Sequence, residues 1–304
     1  MNDFQKSFST YLLATAALLV GASPAWAQVS LGAASGFSVI GGTAVTCTNS
    51  IITGDVGVSP GTAFTNTGCT IAGGMPPATN AVAVGAHAAL LSAYAALAPV
   101  AGDCDVAHTL GATIPGPLTL FPGVYCTDAA LTGTNVVLTL DAQGDANAVW
   151  IFKIGTNPTG TGALTGTSFS VAMANGGQPC NVFWRVAEGV TMTTSTFKGN
   201  ILAGGTTGSI TLTGGTLAGR ALANVAVTMT DASVIDCATA SGSPSCKGKD
   251  HDGDNDKDHK KCNQGIGNGH EDCDPGHSDK HNPFGSNDED GGRPGDPGRK
   301  GGNK

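Results

Sequence analysis

Threonines at every second position form a pattern that recurs in the second half of the chain. VTMT begins at Val190, ITLT begins at Ile210, and VTMT occurs again from Val227. Each segment alternates apolar residues with threonines, as expected for a β-strand with one side in a core and the other in solvent. The pattern predicts that these threonines point outward together: Thr191, Thr193, Thr211, Thr213, Thr228 and Thr230.

A grid of outward threonines could bind ordered water. Stacked strands lie about 4.7–4.9 Å apart, and residues i and i+2 of one strand lie roughly 6.6 Å apart. The β-branched side chain is stiff at χ1, so the backbone fixes the positions of its methyl and hydroxyl groups. The methyl group would order nearby water, and the hydroxyl would anchor that water by hydrogen bonds. In the alternative interpretation, the threonines only stabilise the stacked strands, where they are favoured residues.

Two weaker matches lie upstream, where the sequence ALT occurs at residues 163–165 and 130–132. Aligned on their leucines, these units carry Ala163 and Ala130 in place of the first threonine. Thr165 and Thr132 then correspond to the second threonine. We expect these four residues to extend the grid weakly, so that its effective part lies at one end.

The spacing of these segments predicts the architecture. Separations of about 17 to 33 residues are typical of a β-solenoid, in which each coil buries its apolar side by stacking on its neighbours. The uneven spacing predicts an irregular solenoid. An alanine-rich stretch departs from the pattern, and residues 78–97 are predicted to form one helix that ends before Pro99 and lies against the solenoid.

Charge and hydropathy divide the chain into three segments. Residues 1–27 have the charged, apolar and small-residue regions of a secretory signal, so we expect a secreted protein. Residues 28–240 carry few charges and enough large apolar residues for one core. Residues 241–304 are rich in Gly, Asp, Lys and His and are predicted to form a disordered tail. No segment after the signal is long and apolar enough to span a membrane.

Nine cysteines in an exported chain predict disulfides. We expect Cys104 to pair with Cys126 first, because both flank one short segment, and Cys47 to pair with Cys69 second. Sequence alone leaves the remaining connectivity open.

Several longer phrases identify a resemblance to the microbial ice-binding proteins. They include LGAASGFSVIGGTAVT from Leu31, LTLDAQGDANAVWIFKIG from Leu138 and FKGNILA from Phe197, and together the matching phrases cover almost all of residues 31–236. The resemblance implies a right-handed, discontinuous β-solenoid of triangular cross-section with a long helix alongside. It also implies that a flat β-face, here the threonine grid, contacts the surface of an ice crystal and slows ice growth and recrystallisation.

Other functions find less support in the sequence. Residues 28–240 contain one glutamate and scattered aspartates without a nucleophile motif, so we predict no catalytic residues and no enzyme. We also predict no cofactor and no nucleic-acid partner, because the segment lacks a phosphate loop and a basic stripe. No metal site is predicted. The tail has aspartates at alternate positions from Asp250, as at the start of a calcium loop, but it lacks the glycine and glutamate of that loop. We therefore favour a solvated, flexible tail over one that loosely binds divalent metal ions.

The sequence thus predicts a secreted, monomeric ice-binding protein. The main alternative is a surface adhesin or a structural solenoid without ice activity, since either would have the same fold. Cell-surface association through the tail is compatible with both.

Overall fold

The computed structural model describes residues 29–75, 80–105, 107–156 and 160–237. The predicted signal segment, residues 1–27, and the whole of the predicted tail, residues 241–304, lie outside these residues. The described part contains one α-helix, α1 (Ala81–Ala96), and two short 3-10 helices, Gly32–Gly36 and Pro179–Asn181. Its strands, in chain order, are β1 (Phe37–Gly41), β2 (Ala44–Thr48), β3 (Ile51–Ile52), β4 (Asp55–Val58), β5 (Ala63–Thr67), β6 (Thr70–Ile71), β7 (Leu118–Leu120), β8 (Gly123–Thr127), β9 (Leu131–Thr134), β10 (Val137–Asp141), β11 (Trp150–Ile154), β12 (Leu164–Thr167), β13 (Ser170–Ala174), β14 (Val182–Val186), β15 (Val190–Ala203), β16 (Ile210–Ala223), β17 (Ala226–Thr230) and β18 (Ser233–Ile235).

All pairings between these strands are parallel, and they form three walls around one core. The threonine wall stacks β9, β12, β15, β16, β17, β2 and β5 in that order. The second wall stacks β7, β10, β13, β15, β16, β18, β3 and β6. The helix wall stacks β8, β11, β14, β15, β16, β1 and β4. The long strands β15 and β16 take part in all three walls, so the predicted solenoid is confirmed.

The stacking order differs from the order of the chain. After β16, one coil is completed by two chain-distant parts, because β17 and β18 come from the C-terminal end while β1 comes from the N-terminal end. The next two coils are N-terminal. Thr43 joins the two parts, since its N–H and its hydroxyl both donate to the carbonyl of Val225, at 2.6 and 2.9 Å.

Large apolar and aromatic side chains fill the space between the walls. Phe152 and Trp184 occupy successive coils and stack with ring centroids 3.9 Å apart, and Tyr125 continues the stack in the coil below. Trp184 also contacts Phe197, whose ring meets that of Phe169 edge-on. Such pairs add to the stability that comes from burying their area.

Helix α1 covers the outer side of the helix wall. Its buried face consists of Ala83, Ala86, Leu90 and Ala93, at the three- and four-residue spacing of a helix. Ala86, Leu90 and Ala93 of this face belong to a second apolar cluster, which also contains Ile40, Leu202 and Leu222. The helix begins later than predicted, because Asn80 is extended and its side chain accepts a hydrogen bond from the Val82 N–H as the N-cap. Within the described residues, no helix is long and apolar enough to cross a membrane.

Two basic residues of the helix wall hold the C-terminal end of the helix and the loop after it. Lys153 pairs with Asp103 at 2.5 Å and donates to the carbonyl of Ala98. The guanidinium of Arg185 lies 4.2 Å from the centroid of the Tyr94 ring, and its Nε donates to the carbonyl of Tyr94. Both cations therefore act inside the fold, on the helix that covers them.

A third basic residue, Arg220, ties together the two ends of the described chain. Its guanidinium donates to the carbonyl of Ser35 near the N-terminal end and pairs with Asp236 at the C-terminal end. It also donates to the buried side chain of Asn200, which itself donates to the carbonyl of Cys180. This buried network therefore holds the coil that both ends complete.

Three disulfides link the described cysteines. The predicted pairs Cys104–Cys126 and Cys47–Cys69 are confirmed. The third pair, Cys180–Cys237, which the sequence left open, attaches the C-terminal end of the described chain to the short 3-10 helix before β14. Three disulfides fit a protein that folds in an oxidising compartment.

We predict that Leu90→Ala destabilises the protein by about 2–5 kcal/mol, because it removes a fully buried side chain and leaves a cavity between helix and wall. Leu91→Ala is the matched control, since the neighbouring leucine is 36% exposed. Urea unfolding of both variants measures the difference. Equal losses of stability would contradict the packing of the helix described above.

We also predict a pH-dependent effect of Asp103→Asn. Burial raises the pKa of Asp103, but the hydrogen bond and charge of Lys153 and the N–H of Val100 outweigh it, so the pKa lies below its ordinary value. The pair therefore stabilises the fold at neutral pH, and this stabilisation is lost as the pH falls through the folded-state pKa. The melting temperature of the variant should be lower than that of the wild type at pH 7, and the two should converge in acid. A constant difference at every pH would argue against this role of the ion pair.

Candidate functional site

Two columns of threonines run the length of the threonine wall. Every one of its seven strands contributes one residue to each column, and the backbone register pairs threonine with threonine at each step. The first column is Thr132, Thr165, Thr191, Thr211, Thr228, Thr46 and Thr65, and the isolated bridge of Thr113 to Thr132 extends it by one residue. The second column is Thr134, Thr167, Thr193, Thr213, Thr230, Thr48 and Thr67.

The threonines face solvent because their neighbours along each strand face the core. The residue before each first-column threonine is apolar, as Val190 and Ile210 illustrate, and only Phe64 at the end of the stack is not fully buried. None of the column threonines of the seven strands is buried, and six of them are exposed. The described side-chain hydrogen bonds engage none of their hydroxyls, so these are available to water.

Small residues border the first column on its N-terminal side. The strand register places Ala226, Ala44 and Ala63 in this third column, and extending the register by one residue adds Ala130, Ala163, Gly189 and Ser209. These residues project little beyond the backbone. The three columns together therefore form a low, even surface.

The other border is a corner at which every coil turns from the threonine wall to the second wall. The residue after each second-column threonine has a positive φ in all seven coils, between 46° and 77°. Asparagine and glycine adopt this left-handed conformation readily, whereas a β-branched residue is strained there. The corner column is Asn135, Ser168, Thr194, Gly214, Asp231, Asn49 and Gly68.

The sequence-based alignment of the upstream units is wrong by two residues. It placed Ala163 opposite Thr191, whereas the register pairs Thr165 with Thr191 and Thr167 with Thr193. The same shift applies to Ala130 and Thr132. The error arose because the alignment equated the leucine of ALT with Met192, and the residue at that inward position is a glycine, Gly166. A side chain there would collide with Phe169 and Met192.

This correction changes the extent of the grid. The upstream strands carry full threonine pairs, so Thr134 and Thr167 join the predicted residues. The N-terminal strands β2 and β5 add Thr46, Thr48, Thr65 and Thr67. A single sequence signal would have found all of them, because every strand of the wall reads apolar-Thr-x-Thr. The grid therefore spans the whole stack of seven strands, where the sequence predicted an effective part at one end.

The other polar clusters among the described residues have structural partners. His108 Nδ1 lies 2.7 Å from Asp105, and this hydrogen bond lowers the pKa of that carboxyl. The adjacent hydroxyl, that of Thr109, donates to the carbonyl oxygen of Asp105 and so does not present a nucleophile to the histidine. Cys180, Asp236 and Cys237 come close enough to suggest metal ligands, but the two cysteines form a disulfide.

Comparison with known proteins gives consistent matches. The Ice-binding-like family matches residues 39–235. An ice-binding protein of Nostoc sp. (strain HG1) is 42% identical over 206 residues, which are 66% of this chain and 71% of the relative. An ice-binding protein of Flavobacterium frigoris (strain PS1) is 32% identical over 218 residues, 66% of this chain and 74% of that protein.

Solved structures of ice-binding proteins have a similar fold. The crystal structure of an ice-binding protein from an Antarctic biological consortium is 33% identical and superposes with a TM-score of 0.59, covering 68% of this chain and 90% of the other. One from the Antarctic ascomycete Antarctomyces psychrotrophicus is 32% identical, with a TM-score of 0.58 over 68% and 97% of the two chains.

We predict that Thr194→Asn stabilises the protein by up to about 1 kcal/mol, because threonine is strained at its φ of 46°. Asparagine occupies the equivalent corner in two other coils, so the backbone accepts it. The substitution gives up an exposed 3.3 Å contact with the Ser168 hydroxyl, which contributes little. Gly214→Ala, at a φ of 64°, should lower the stability for the same conformational reason. A loss of melting temperature in Thr194→Asn would contradict the strain.

Proposed function

Because the chain belongs to the Ice-binding-like family, we propose that it adsorbs to ice through the threonine wall. The observation that carries the proposal is the unbroken register of threonine pairs over seven strands. With parallel strands about 4.8 Å apart, these pairs form an array roughly 29 Å long. The residues proposed to contact ice are those of the two threonine columns, bordered by the small residues that include Ala130 and Ala163.

Each threonine contributes two groups to this contact. The hydroxyl donates one hydrogen bond and accepts others, so it can both donate to and accept from the water molecules of ice. The methyl group cannot bond to water, so water around it forms hydrogen bonds with its own neighbours and with nearby hydroxyls. Repetition of both groups at fixed intervals favours an ordered water layer over the wall that can join the lattice of a crystal.

Rigidity makes such weak contacts add up. The χ1 angle of threonine is restricted, the strands are fixed by continuous backbone ladders, and the apolar column beneath is closely packed. Few degrees of freedom therefore have to be frozen on adsorption, which lowers the entropic cost of binding. Protein molecules held on the crystal force the ice front to curve between them, and this curvature slows growth and recrystallisation.

We further propose that the protein works outside the cell as a single chain. The three disulfides and the predicted signal segment support an extracellular location. Ice-binding proteins act by adsorption and are not enzymes. The proposed function accordingly uses no catalytic group, no cofactor and no nucleic acid.

We predict that Thr213→Tyr sharply lowers thermal hysteresis, because the larger ring projects from an exposed position of the second column and breaks the evenness of the surface. Thr211→Tyr in the first column should act in the same way. Thr119→Tyr is the matched control, since Thr119 is exposed on the second wall. Hysteresis is measured by watching single crystals in solutions of equal protein concentration.

Circular dichroism and melting temperatures should be unchanged in all three variants. Full hysteresis in both wall variants would exclude the threonine wall as the ice-contacting surface. Absence of hysteresis in the wild type would refute the proposed function itself and would favour an adhesive or structural solenoid.

A further inference from the structure

We infer that Asp231 limits the ice-binding surface, and that its carboxylate marks a place where the ordered water layer stops. The inference rests on the proposed function of the threonine wall. Thr230 belongs to the second threonine column, and Asp231 is the next residue along the chain. Asp231 occupies the corner of its coil. Its backbone N–H donates to the carbonyl of Thr48, 3.0 Å away in the next coil. The carboxylate is therefore within one residue of the grid, in the part of the stack where the N-terminal coils join.

Asp231 is the single charged residue of the corner column and the two threonine columns. The other corner residues are asparagine, serine, threonine and glycine. Two acidic residues lie near the small-residue border, but the carboxylate of Glu188 accepts a hydrogen bond from the N–H of Gly162 and that of Asp128 accepts one from the hydroxyl of Thr156. Within the described residues, no hydrogen bond or ion pair engages the carboxylate of Asp231, and the residue is exposed. Water must therefore solvate its charge.

An ionised carboxylate imposes an order on water that ice does not share. Its oxygens only accept hydrogen bonds, so every water in contact with it points a hydrogen inward. A water molecule in ice donates two hydrogen bonds and accepts two. A shell of uniformly oriented water therefore cannot continue into the lattice, whereas the amide of asparagine offers donors as well as an acceptor and imposes no such polarity.

The backbone does not require the charge. Asp231 has a φ of 52°, and asparagine adopts 52° and 47° at the equivalent positions Asn135 and Asn49. Asparagine at position 231 would thus keep the corner conformation and almost the same shape. The carboxylate is a feature of the surface that the fold tolerates without needing it.

The test removes the negative charge at one position of the corner column and introduces it at another. Asp231→Asn should raise thermal hysteresis above that of the wild type at neutral pH and equal concentration. Asn135→Asp introduces the same charge beside the second column, four coils away, and should lower hysteresis. Asp145→Asn is the matched control for net charge, because Asp145 is exposed in the loop between the second wall and the helix wall. It should leave hysteresis unchanged, since asparagine retains the oxygen that accepts from the Asn147 N–H.

The outcomes separate this inference from the proposed function. Hysteresis in Asp231→Asn that equals or falls below the wild-type value, at an unchanged melting temperature, would overturn the inference even if Thr213→Tyr is inactive. An equal rise in Asp145→Asn would also overturn it, because the effect would then come from net charge. Absence of hysteresis in the wild type would refute the proposed function, and with it the inference that rests on it.

Discussion

The fold depends on parallel backbone pairing that keeps successive coils in register. A parallel ladder places each residue directly over its counterpart in the coil below, so one side-chain type can form a continuous column. Inside the solenoid this produces a closely packed apolar core with stacked aromatic rings. On the outside it produces the two threonine columns. A slip of one residue in any coil would exchange the inward and outward sets, so the packing of the core fixes the position of every hydroxyl on the surface.

Register also allows one flat surface to be built from distant parts of the sequence. Thr230 and Thr48 are neighbours on the wall although most of the chain lies between them. Their alignment depends on the contacts that complete the shared coil, namely the hydrogen bonds of Thr43 to Val225 and the buried network of Arg220. The basic residues of the helix wall therefore contribute indirectly to the alignment of the threonine wall. They fix the helix and the chain ends, which keep the N-terminal coils stacked on the C-terminal ones.

The sequence predicted those parts of the site where alternation is complete. Val190 to Thr193 and Ile210 to Thr213 align without a gap, so the solenoid and the central threonine pairs followed directly. Upstream, the alternation is hidden because glycine stands at the inward positions of Gly133 and Gly166, where Phe169 and Met192 take up the space. The N-terminal strands carry the same apolar-Thr-x-Thr signal, but they were missed because they do not continue the series along the chain. Their position after β17 is set by tertiary closure, which the local pattern does not record.

Corner geometry shows how the fold and the surface impose different demands on one residue. The backbone at each corner needs a positive φ, which glycine and asparagine meet with least strain. An even surface needs side chains there that are short and uncharged. Asn49 and Gly214 meet both demands, Thr194 meets the second at a conformational cost, and Asp231 meets the first while placing a charge beside the grid. Since folding selects only for the first demand, the corner column is where substitutions can alter the proposed surface while leaving the core and the threonine columns intact.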